Sequence, residues 1–257
     1  MEGLEEWVRE RFGESAALEA LGGGAWSRAW GLAAGGRELV LRVGEHRSDF
    51  LKDRVMAERA ASLPVPKVWR VERFRGLWLA VSERVHGVPV DALDGAGMRA
   101  VLPVLLDLVD DISSVDISSS SGFGMWNEEE RAPWASWEEA LLGDLNGGSG
   151  RMPGWQDAIG RDGALAEVFR RGRLRLAQVA HGLEPRRSLV HSDLLGPNVM
   201  VQDGRITGVI DWGNAIYGVP LYDVASLLYW WDWYPAWKDI DLEGVLRRRW
   251  TEGGTTP

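Results

Sequence analysis

The segment SLVHSDLLGPNVMVQDGRITGVIDWGNAIYG, residues 188–218, constrains the fold of this chain more than any other part of its sequence. Apolar residues lie on both sides of an Asp203-Gly204 pair, a pattern that predicts a β-hairpin with a tight turn. A hairpin brings its two ends together, and polar residues occupy both of them. Asn198 before the hairpin and Asp211 after it are therefore expected to lie side by side.

Oxygen atoms of an amide and a carboxylate are suitable ligands for a hard cation whose remaining ligands are substrate phosphates. Asp193 lies on the segment that leads into the hairpin, where its carboxylate can accept the proton of an attacking hydroxyl. An Asp with an Asn five residues later, followed by a metal-binding Asp, is the layout of protein kinase catalytic machinery. The alternative is a polar turn in which Asp193 and Asn198 cap the loop.

Length and composition restrict the possible classes of protein. The chain has 257 residues, of which 45% are hydrophobic and 26% are charged, enough for one large domain or two small lobes that share a cleft. It has no cysteine, which excludes disulfides, thiolate nucleophiles and cysteine-bound metals. There is no apolar run of about 20 residues and no signal peptide, so we expect a cytoplasmic protein without membrane contact.

The charge balance argues against a nucleic-acid partner. There are 29 Lys and Arg residues against 38 Asp and Glu residues, a formal net charge of −9, whereas phosphate backbones require cationic surfaces. A negative field favours cationic ligands, although charge that serves only solubility explains the same numbers. We expect a monomer whose partners are small molecules.

The patterns along the chain divide it into two parts. Apolar spacing predicts helices over 4–12, 49–62, 98–112, 137–145 and 163–181, strands over 38–43 and 77–85, and a loop over 146–154. The glycines at 22–24 precede two short strands that a Gly-Gly turn joins. The change from strands to helices near 84–90 predicts a nucleotide-binding lobe over 1–84 and a helical lobe over 85–257.

Six segments that span nearly the whole chain in order carry a resemblance to a known family: 39–54, 63–68, 82–88, 121–124, 189–218 and 222–231. The chain resembles the aminoglycoside phosphotransferase and choline kinase-like family, and within it the hygromycin B phosphotransferases. The resemblance implies a bilobal, protein-kinase-like α+β fold with a small antiparallel-sheet N-lobe and a mainly helical C-lobe.

The resemblance also implies roles for residues in and after the 188–218 segment. Asp193 corresponds to the catalytic aspartate, and Asn198 and Asp211 correspond to the ligands of Mg²⁺. His191 supports the catalytic loop as a buried imidazole, and Asp223 anchors the same loop through backbone hydrogen bonds. These last two residues are expected to matter for order rather than for chemistry.

The N-terminal part is expected to bind the nucleotide, ATP or GTP, without the Lys-containing P-loop motif, which is absent. Backbone N–H groups at Gly23 and Gly24 can approach phosphates, and Ser27 adds a hydroxyl, although a plain turn also explains these glycines. The cation that grips the phosphates is expected at Arg42, with Lys52 as the rival.

The partner carboxylate of that cation is expected at Asp53, with Glu58 as the alternative. The segment that contains Ser82, Arg84 and Val85 resembles the hinge whose backbone binds the base of the nucleotide.

The aromatic and acidic run at 229–237 corresponds to the substrate wall of the family. Trp230, Asp232 and Trp233 are expected to contact a protonated acceptor through ring faces and a carboxylate, although the Trp230–Trp233 spacing also suits a helix packed into the core.

Three features depart from the family pattern. Ser192 stands where members commonly have glycine, Val219 stands where they often have aspartate, and further helices are expected after the segment that ends this sequence, so the chain is a short relative or a fragment.

Taken together, the resemblance implies transfer of the γ-phosphate of a nucleoside triphosphate to a hydroxyl of an aminoglycoside such as hygromycin B, with Mg²⁺ as the cofactor and antibiotic resistance as the role. Two alternatives stay open. One is a metabolite kinase that acts on choline, a sugar or an amino alcohol, and the other is an inactive nucleotide-binding relative.

Overall fold

The computed structural model describes residues 3–24, 26–144 and 154–252, with the side chains of residues 144 and 252 excepted. The loop expected over 146–154 therefore lies, apart from Gly154, outside the described residues. The helices are α1 (Leu4–Phe12), α2 (Arg47–Arg59), α3 (Gly95–Ser113), α4 (Trp137–Asp144), α5 (Trp155–Gly160), α6 (Gly163–Ala180), α7 (Leu221–Trp231) and α8 (Leu242–Glu252). The strands are β1 (Ala17–Gly23), β2 (Ser27–Ala34), β3 (Arg37–Gly44), β4 (Val68–Phe74), β5 (Leu77–Glu83), β6 (Val88–Pro89), β7 (Gly124–Met125), β8 (Ser188–Val190), β9 (Val199–Gln202), β10 (Arg205–Val209) and β11 (Ile216–Gly218).

The N-terminal part is an antiparallel sheet of five strands in the order β1-β2-β3-β5-β4. Gly35 and Gly36 join β2 to β3 with φ angles of 55° and 74°, the left-handed conformation that a two-residue hairpin turn requires. Strands β1 and β4 are additions to the predicted strands. Helix α1 buries Leu4, Trp7 and Val8 against one face of this sheet.

Helix α2 connects the sheet to the rest of the molecule, because it contacts β4 and β5 on one side and the turn Trp212–Asn214 on the other. It ends at Arg59 and not at 62 as predicted. The chain leaves the helical conformation at Ala60 (φ −101°, ψ 51°), and Pro64 disfavours a helical conformation at the buried Leu63, so the helix does not resume there.

The C-terminal part is mainly helical, so the predicted fold class is confirmed. Helix α3 is its centre, because one face of this helix is buried in the larger of two hydrophobic clusters. The buried residues of that face are Met98, Val101, Leu102, Leu105, Leu106, Leu108, Val109, Ile112 and Ser113. Among the described helices, none combines the length and the apolar character that crossing a membrane requires.

Two small antiparallel sheets hold the segment that the sequence singled out. Strands β10, β9 and β6 form one of them, and β7, β11 and β8 form the other. The loop 191–198 joins β8 to β9, and the loop 210–215 joins β10 to β11. Because β9 pairs with β10 and β8 pairs with β11, these two loops lie side by side, and they carry the polar residues of the hairpin ends.

Candidate active site

The ends of the β9–β10 hairpin meet as the sequence predicts. The register pairs Val199 with Val209, and the Ile210 backbone N–H donates to the Asn198 carbonyl at 2.9 Å. Asn198 is buried, whereas the side chain of Asp211 is 46% exposed. Asp211 has a φ angle of 62°, a left-handed conformation that is uncommon for a residue with a side chain. Two oxygen-bearing side chains therefore lie at adjacent backbone positions.

This pair of oxygen donors fits a hard cation. An amide and a carboxylate are the ligands that suit Mg²⁺, which usually retains waters and phosphate oxygens for the remaining positions. Within residues 3–24, 26–144 and 154–252, no cluster of three or more His, Cys, Asp or Glu side chains forms a cage for another kind of metal. The donor set is thus compatible with Mg²⁺ that arrives with a phosphate ligand.

Asp193 lies in the loop 191–198, between two side-chain amides. Asn198 Nδ2 donates to the Asp193 carbonyl at 2.8 Å, and Asn214 Nδ2 donates to Asp193 Oδ2 at 3.4 Å. Burial raises the pKa of Asp193 above its usual value, the charge of Asp211 adds to the rise, and both amides oppose it. A partly buried carboxylate with a raised pKa is suited to accepting a proton.

The residues on either side of Asp193 are tied to the buried carboxylate of Asp223. His191 N–H donates to Asp223 Oδ2 at 2.9 Å, and Ser192 N–H donates to Oδ1 at 2.7 Å. Burial raises the pKa of Asp223 to about 6, and these two N–H groups oppose the rise. Asp223 on α7 therefore sets the path of the backbone that leads into Asp193.

His191 is a fully buried imidazole. Its Nε2 lies 3.1 Å from the Ile210 carbonyl, and the Asp193 N–H donates to its Nδ1 at 3.3 Å, an arrangement that fits the neutral ring with the proton on Nε2. Burial lowers the pKa of His191 to about 4, so the ring is uncharged at neutral pH. It links the two loops of the site rather than facing a ligand.

Arg42 of β3 bridges the two parts of the molecule. Its Nη1 donates to Asp53 Oδ2 at 2.7 Å, and its Nη2 donates to Asp211 Oδ1 at 3.0 Å. Burial lowers the pKa of Arg42, but the two carboxylates outweigh it and leave the pKa above its usual value. Burial raises the pKa of Asp53 to about 6 against the effect of Arg42, so this carboxylate is ionised at neutral pH.

The structure distinguishes Arg42 from its rival Lys52. Lys52 is 1% exposed, and its ammonium donates to the carbonyls of Gly213 and Ala215 at 3.1 and 3.0 Å and lies 5.0 Å from the ring centre of Trp126. It therefore holds the segment that follows Asp211. The alternative partner carboxylate, Glu58, is exposed.

Gly22 and Gly23 lie at the end of β1, and Gly24 lies in the turn that leads to β2. Gly24 N–H donates to the Ser27 carbonyl at 3.0 Å, and a Cβ atom at Gly23 would lie 2.9 Å from that same carbonyl oxygen. Ser27 pairs with Gly44 at the start of β2, and Ala25 lies outside the described residues. Close backbone approach thus accounts for Gly23.

The hinge residues connect β5 to the C-terminal part. Ser82 pairs with Val40 inside the sheet, and Arg84 N–H donates to the Glu38 carbonyl at 3.3 Å. The guanidinium of Arg84 reaches back to Glu19 on β1. The Val85 side chain packs on the backbone of Gly208 in β10, where a Cβ atom would clash with it.

The aromatic run at 229–237 covers the end of α7 and the residues that follow it, and some of its side chains are exposed whereas others are buried. Trp230 and Trp233 are 40% and 69% exposed and contact each other with ring centres 5.2 Å apart, whereas Trp231 and Trp237 are buried. Packing into the core is therefore not the role of Trp230 and Trp233. Asp232, at the end of α7, is also exposed.

Tyr234 and Asn214 are candidate site residues that the sequence analysis missed. Burial raises the pKa of Tyr234 and the backbone N–H of Gly196 opposes the rise, which places Tyr234 near the loop that contains Asp193. Asn214 reaches Asp193 directly. The position of Asn214 three residues after Asp211 was a signal for it, and Tyr234 lies within the aromatic run at 229–237.

The chain is similar to known proteins in both sequence and fold. A model of the phosphotransferase enzyme family (APH) matches residues 17–254. Hygromycin-B 4-O-kinase from Escherichia coli is 31% identical over 233 residues, which are 90% of this chain and 67% of the relative. A thermostable mutant of aminoglycoside phosphotransferase APH(4)-Ia, solved as a ternary complex with AMP-PNP and hygromycin B, has a TM-score of 0.86 and 30% identity over 99% of this chain and 85% of that chain. An aminoglycoside-3′-phosphotransferase of type VIII, 18% identical over 98% of this chain and 92% of its own, shares the fold with a TM-score of 0.67.

We expect Lys52→Met to lower the free energy of unfolding. The variant leaves the buried carbonyls of Gly213 and Ala215 without the ammonium, and unsatisfied buried acceptors cost about 1–3 kcal/mol. Urea denaturation followed by tryptophan fluorescence measures the change. Lys67→Met, the same change at an exposed lysine, is the control and is expected to stay within about 0.5 kcal/mol of wild type. Equal stability of both variants would contradict the role of Lys52.

We expect His191→Gln to flatten the dependence of stability on pH. The folded-state pKa of about 4 lies below the unfolded value of about 6.5, so the contribution of His191 is complete above pH 6.5 and is lost as pH falls toward 4. The loss in wild type amounts to about 3 kcal/mol at most. Asp223 shifts in the opposite direction in both proteins, so the comparison isolates the imidazole.

Urea denaturation at pH 7 and pH 4.5 measures this difference for wild type and variant. His181→Gln, at an exposed histidine, is the control and is expected to keep the wild-type dependence. If His191→Gln loses as much stability between the two pH values as wild type does, the buried neutral imidazole is the wrong explanation.

Proposed function

The chain belongs to the APH family of phosphotransferase enzymes, and we propose that it transfers the γ-phosphate of ATP to a hydroxyl group of an aminoglycoside, with hygromycin B as the first candidate acceptor. One observation carries the proposal. Asp193, Asn198 and Asp211 meet where two loops lie side by side, and Arg42 reaches the same place from the sheet. We place the lobe boundary after residue 84, so that 1–84 binds the nucleotide and 85–257 binds the acceptor.

Asp193 acts in this proposal as the base. Its carboxylate accepts the proton of the attacking hydroxyl as the oxygen–phosphorus bond forms and the bond to the leaving ADP oxygen breaks. The raised pKa of Asp193 supports this role, because a stronger base takes the proton more readily.

Asn198 and Asp211 are the side chains that would hold Mg²⁺. When bound, Mg²⁺ neutralises charge on the β- and γ-phosphates of the nucleotide. Arg42 already touches Asp211, so its guanidinium lies beside the position of the phosphates and has further N–H groups for their oxygens. Gly23, Gly24 and Ser27 would cover the phosphates from the turn between β1 and β2, and Ser82, Arg84 and Val85 would bind the base.

The acceptor would bind on the side of the exposed aromatic run. Ring faces of Trp230 and Trp233 can pack on sugar rings, and the carboxylate of Asp232 suits a protonated amine. The formal net charge of −9 adds a field that favours a polycationic acceptor. The relative of known structure that binds hygromycin B and AMP-PNP together supports this choice of acceptor and nucleotide.

We predict that Asp193→Asn and Asp211→Asn each lower kcat for phosphoryl transfer from Mg-ATP to hygromycin B by about 10²–10⁴-fold, because one removes the base and the other a metal ligand. Asp203→Asn is the matched control, since it makes the same change in the exposed turn of the same hairpin and is expected to keep wild-type turnover. Binding of a fluorescent ATP analogue should survive in Asp193→Asn.

Wild-type assays with GTP as donor, and with choline and other aminoglycosides as acceptors, test the substrates. Transfer to choline alone would move the function to a metabolite kinase. Nucleotide binding with no transfer to any acceptor would indicate an inactive relative, and wild-type turnover in Asp211→Asn would sink the assignment of the metal site.

A further inference from the structure

We infer that Asn214 is a positioning residue for this reaction, whose side-chain amide orients the carboxylate of Asp193 for the acceptor hydroxyl. The inference rests on the proposed function, because it concerns the same site. Asn214 follows Asp211 in the loop 210–215. The inference also gives a role to Ser192, one of the departures from the family pattern.

The amide of Asn214 is bonded to one oxygen of the Asp193 carboxylate, with Nδ2 donating to Oδ2 at 3.4 Å. An amide N–H group gives a hydrogen bond but takes no proton, so it leaves the carboxylate basic while restricting its rotation. The distance is long for a hydrogen bond, as is common for catalytic contacts in the absence of substrates, which tighten when substrates bind. Asn214 thus has the chemistry and the position of an orienting group.

The backbone that carries Asn214 is fixed at three consecutive carbonyls. Lys52 donates to the carbonyl of Gly213 at 3.1 Å and to that of Ala215 at 3.0 Å. The Ser192 hydroxyl donates to the carbonyl of Asn214 itself at 2.7 Å. Side chains thus hold the backbone at residues 213, 214 and 215. The Asn214 side chain starts from a fixed backbone, and a fixed support is what precise orientation of the Asp193 carboxylate requires.

Ser192 closes a ring of contacts around Asp193. It precedes Asp193 in the chain, its N–H is bonded to Asp223 at 2.7 Å, and its hydroxyl is bonded to Asn214. Asp193, Ser192 and Asn214 are therefore joined by one peptide bond and two hydrogen bonds. This ring of contacts fixes the distance between the Asn214 amide and the Asp193 carboxylate.

Asn198 does not duplicate this role. Its Nδ2 donates to the backbone carbonyl of Asp193 at 2.8 Å, and its other amide atom is the one proposed to bind the metal. Asn214 donates to the carboxylate itself and is not a proposed metal ligand, so its loss is expected to affect turnover rather than nucleotide binding.

The test compares Asn214→Ala and Asn214→Asp with wild type, using Mg-ATP and the acceptor that wild type phosphorylates. We expect Asn214→Ala to lower kcat by about 10–100-fold, with the Kd of a fluorescent ATP analogue within about 2-fold of wild type. Asn214→Asp keeps the shape but sets a carboxylate against a carboxylate, so its kcat is expected to be lower still. Asn127→Ala, at an exposed asparagine with no contact to Asp193, Asn198 or Asp211 among the described residues, is the control and should keep wild-type kcat.

A double-variant cycle tests the part of Ser192. Ser192→Gly suits the φ angle of 67° but removes the hydroxyl, so a several-fold lower kcat is expected. Because Ser192 acts through Asn214, the double variant should be no slower than Asn214→Ala alone. If Ser192 instead acts independently of Asn214, the factor by which the double variant lowers kcat is expected to equal the product of the factors for the two single variants.

Each outcome has one meaning. A kcat within about 2-fold of wild type in Asn214→Ala, or a loss of turnover matched by an equal loss of nucleotide affinity, would overturn the inference. Multiplying losses in the double variant would overturn the part assigned to Ser192. A wild-type protein that phosphorylates no acceptor would overturn the proposed function, and this result is seen before any variant is compared.

Discussion

The grip of helix α2 on the segment after Asp211 is the interaction on which the rest of the site depends. Asp53 accepts the Trp212 N–H at 2.8 Å and an N–H of Arg42, and Lys52, the neighbouring residue, holds the next carbonyls of that segment. These two residues belong to the N-terminal part, whereas the segment they hold carries the candidate metal ligand. The conformation of this C-terminal loop is thus set by a helix of the N-terminal part. A movement of α2 would therefore shift the backbone next to Asp211.

Buried charge and backbone strain are concentrated in the same few residues. Taking Lys52, Asp53 and Arg42 out of water is costly unless each charge is bonded, and the structure bonds all three to carbonyls, N–H groups or one another. Asp211 and Ser192 both have positive φ angles, which cost about 1 kcal/mol or more each for residues with side chains. The buried bonds that hold the two loops offset this strain, so the site is stabilised by the fold around it rather than by its own conformation.

Sequence reasoning succeeded where the information was local. The hairpin, the adjacency of its ends and most helices follow from patterns within about 20 residues, and the spacing from Asp193 to Asn198 lies inside one loop. Strands β1 and β4 were both missed, and the residues of β1 are mostly exposed and do not alternate. The role of Lys52 joins residues 161 positions apart, a contact that no local pattern records. The spacing of Trp230 and Trp233 likewise did not decide whether their side chains are buried or exposed, because exposure depends on which other parts of the chain pack against them.

The departure at Ser192 shows how the two loops share one constraint. Glycine adopts a φ angle of 67° without strain, whereas serine has to be held there. Its N–H and its hydroxyl each make a 2.7 Å hydrogen bond, one to Asp223 beneath the loop and one to Asn214 beside it. A net hydrogen bond contributes about 1 kcal/mol, so the hydroxyl offsets the strain of the conformation it depends on. The serine that disfavours the turn locally therefore ties the loop of Asp193 to the loop of Asp211 through its hydroxyl, a contact that glycine cannot make.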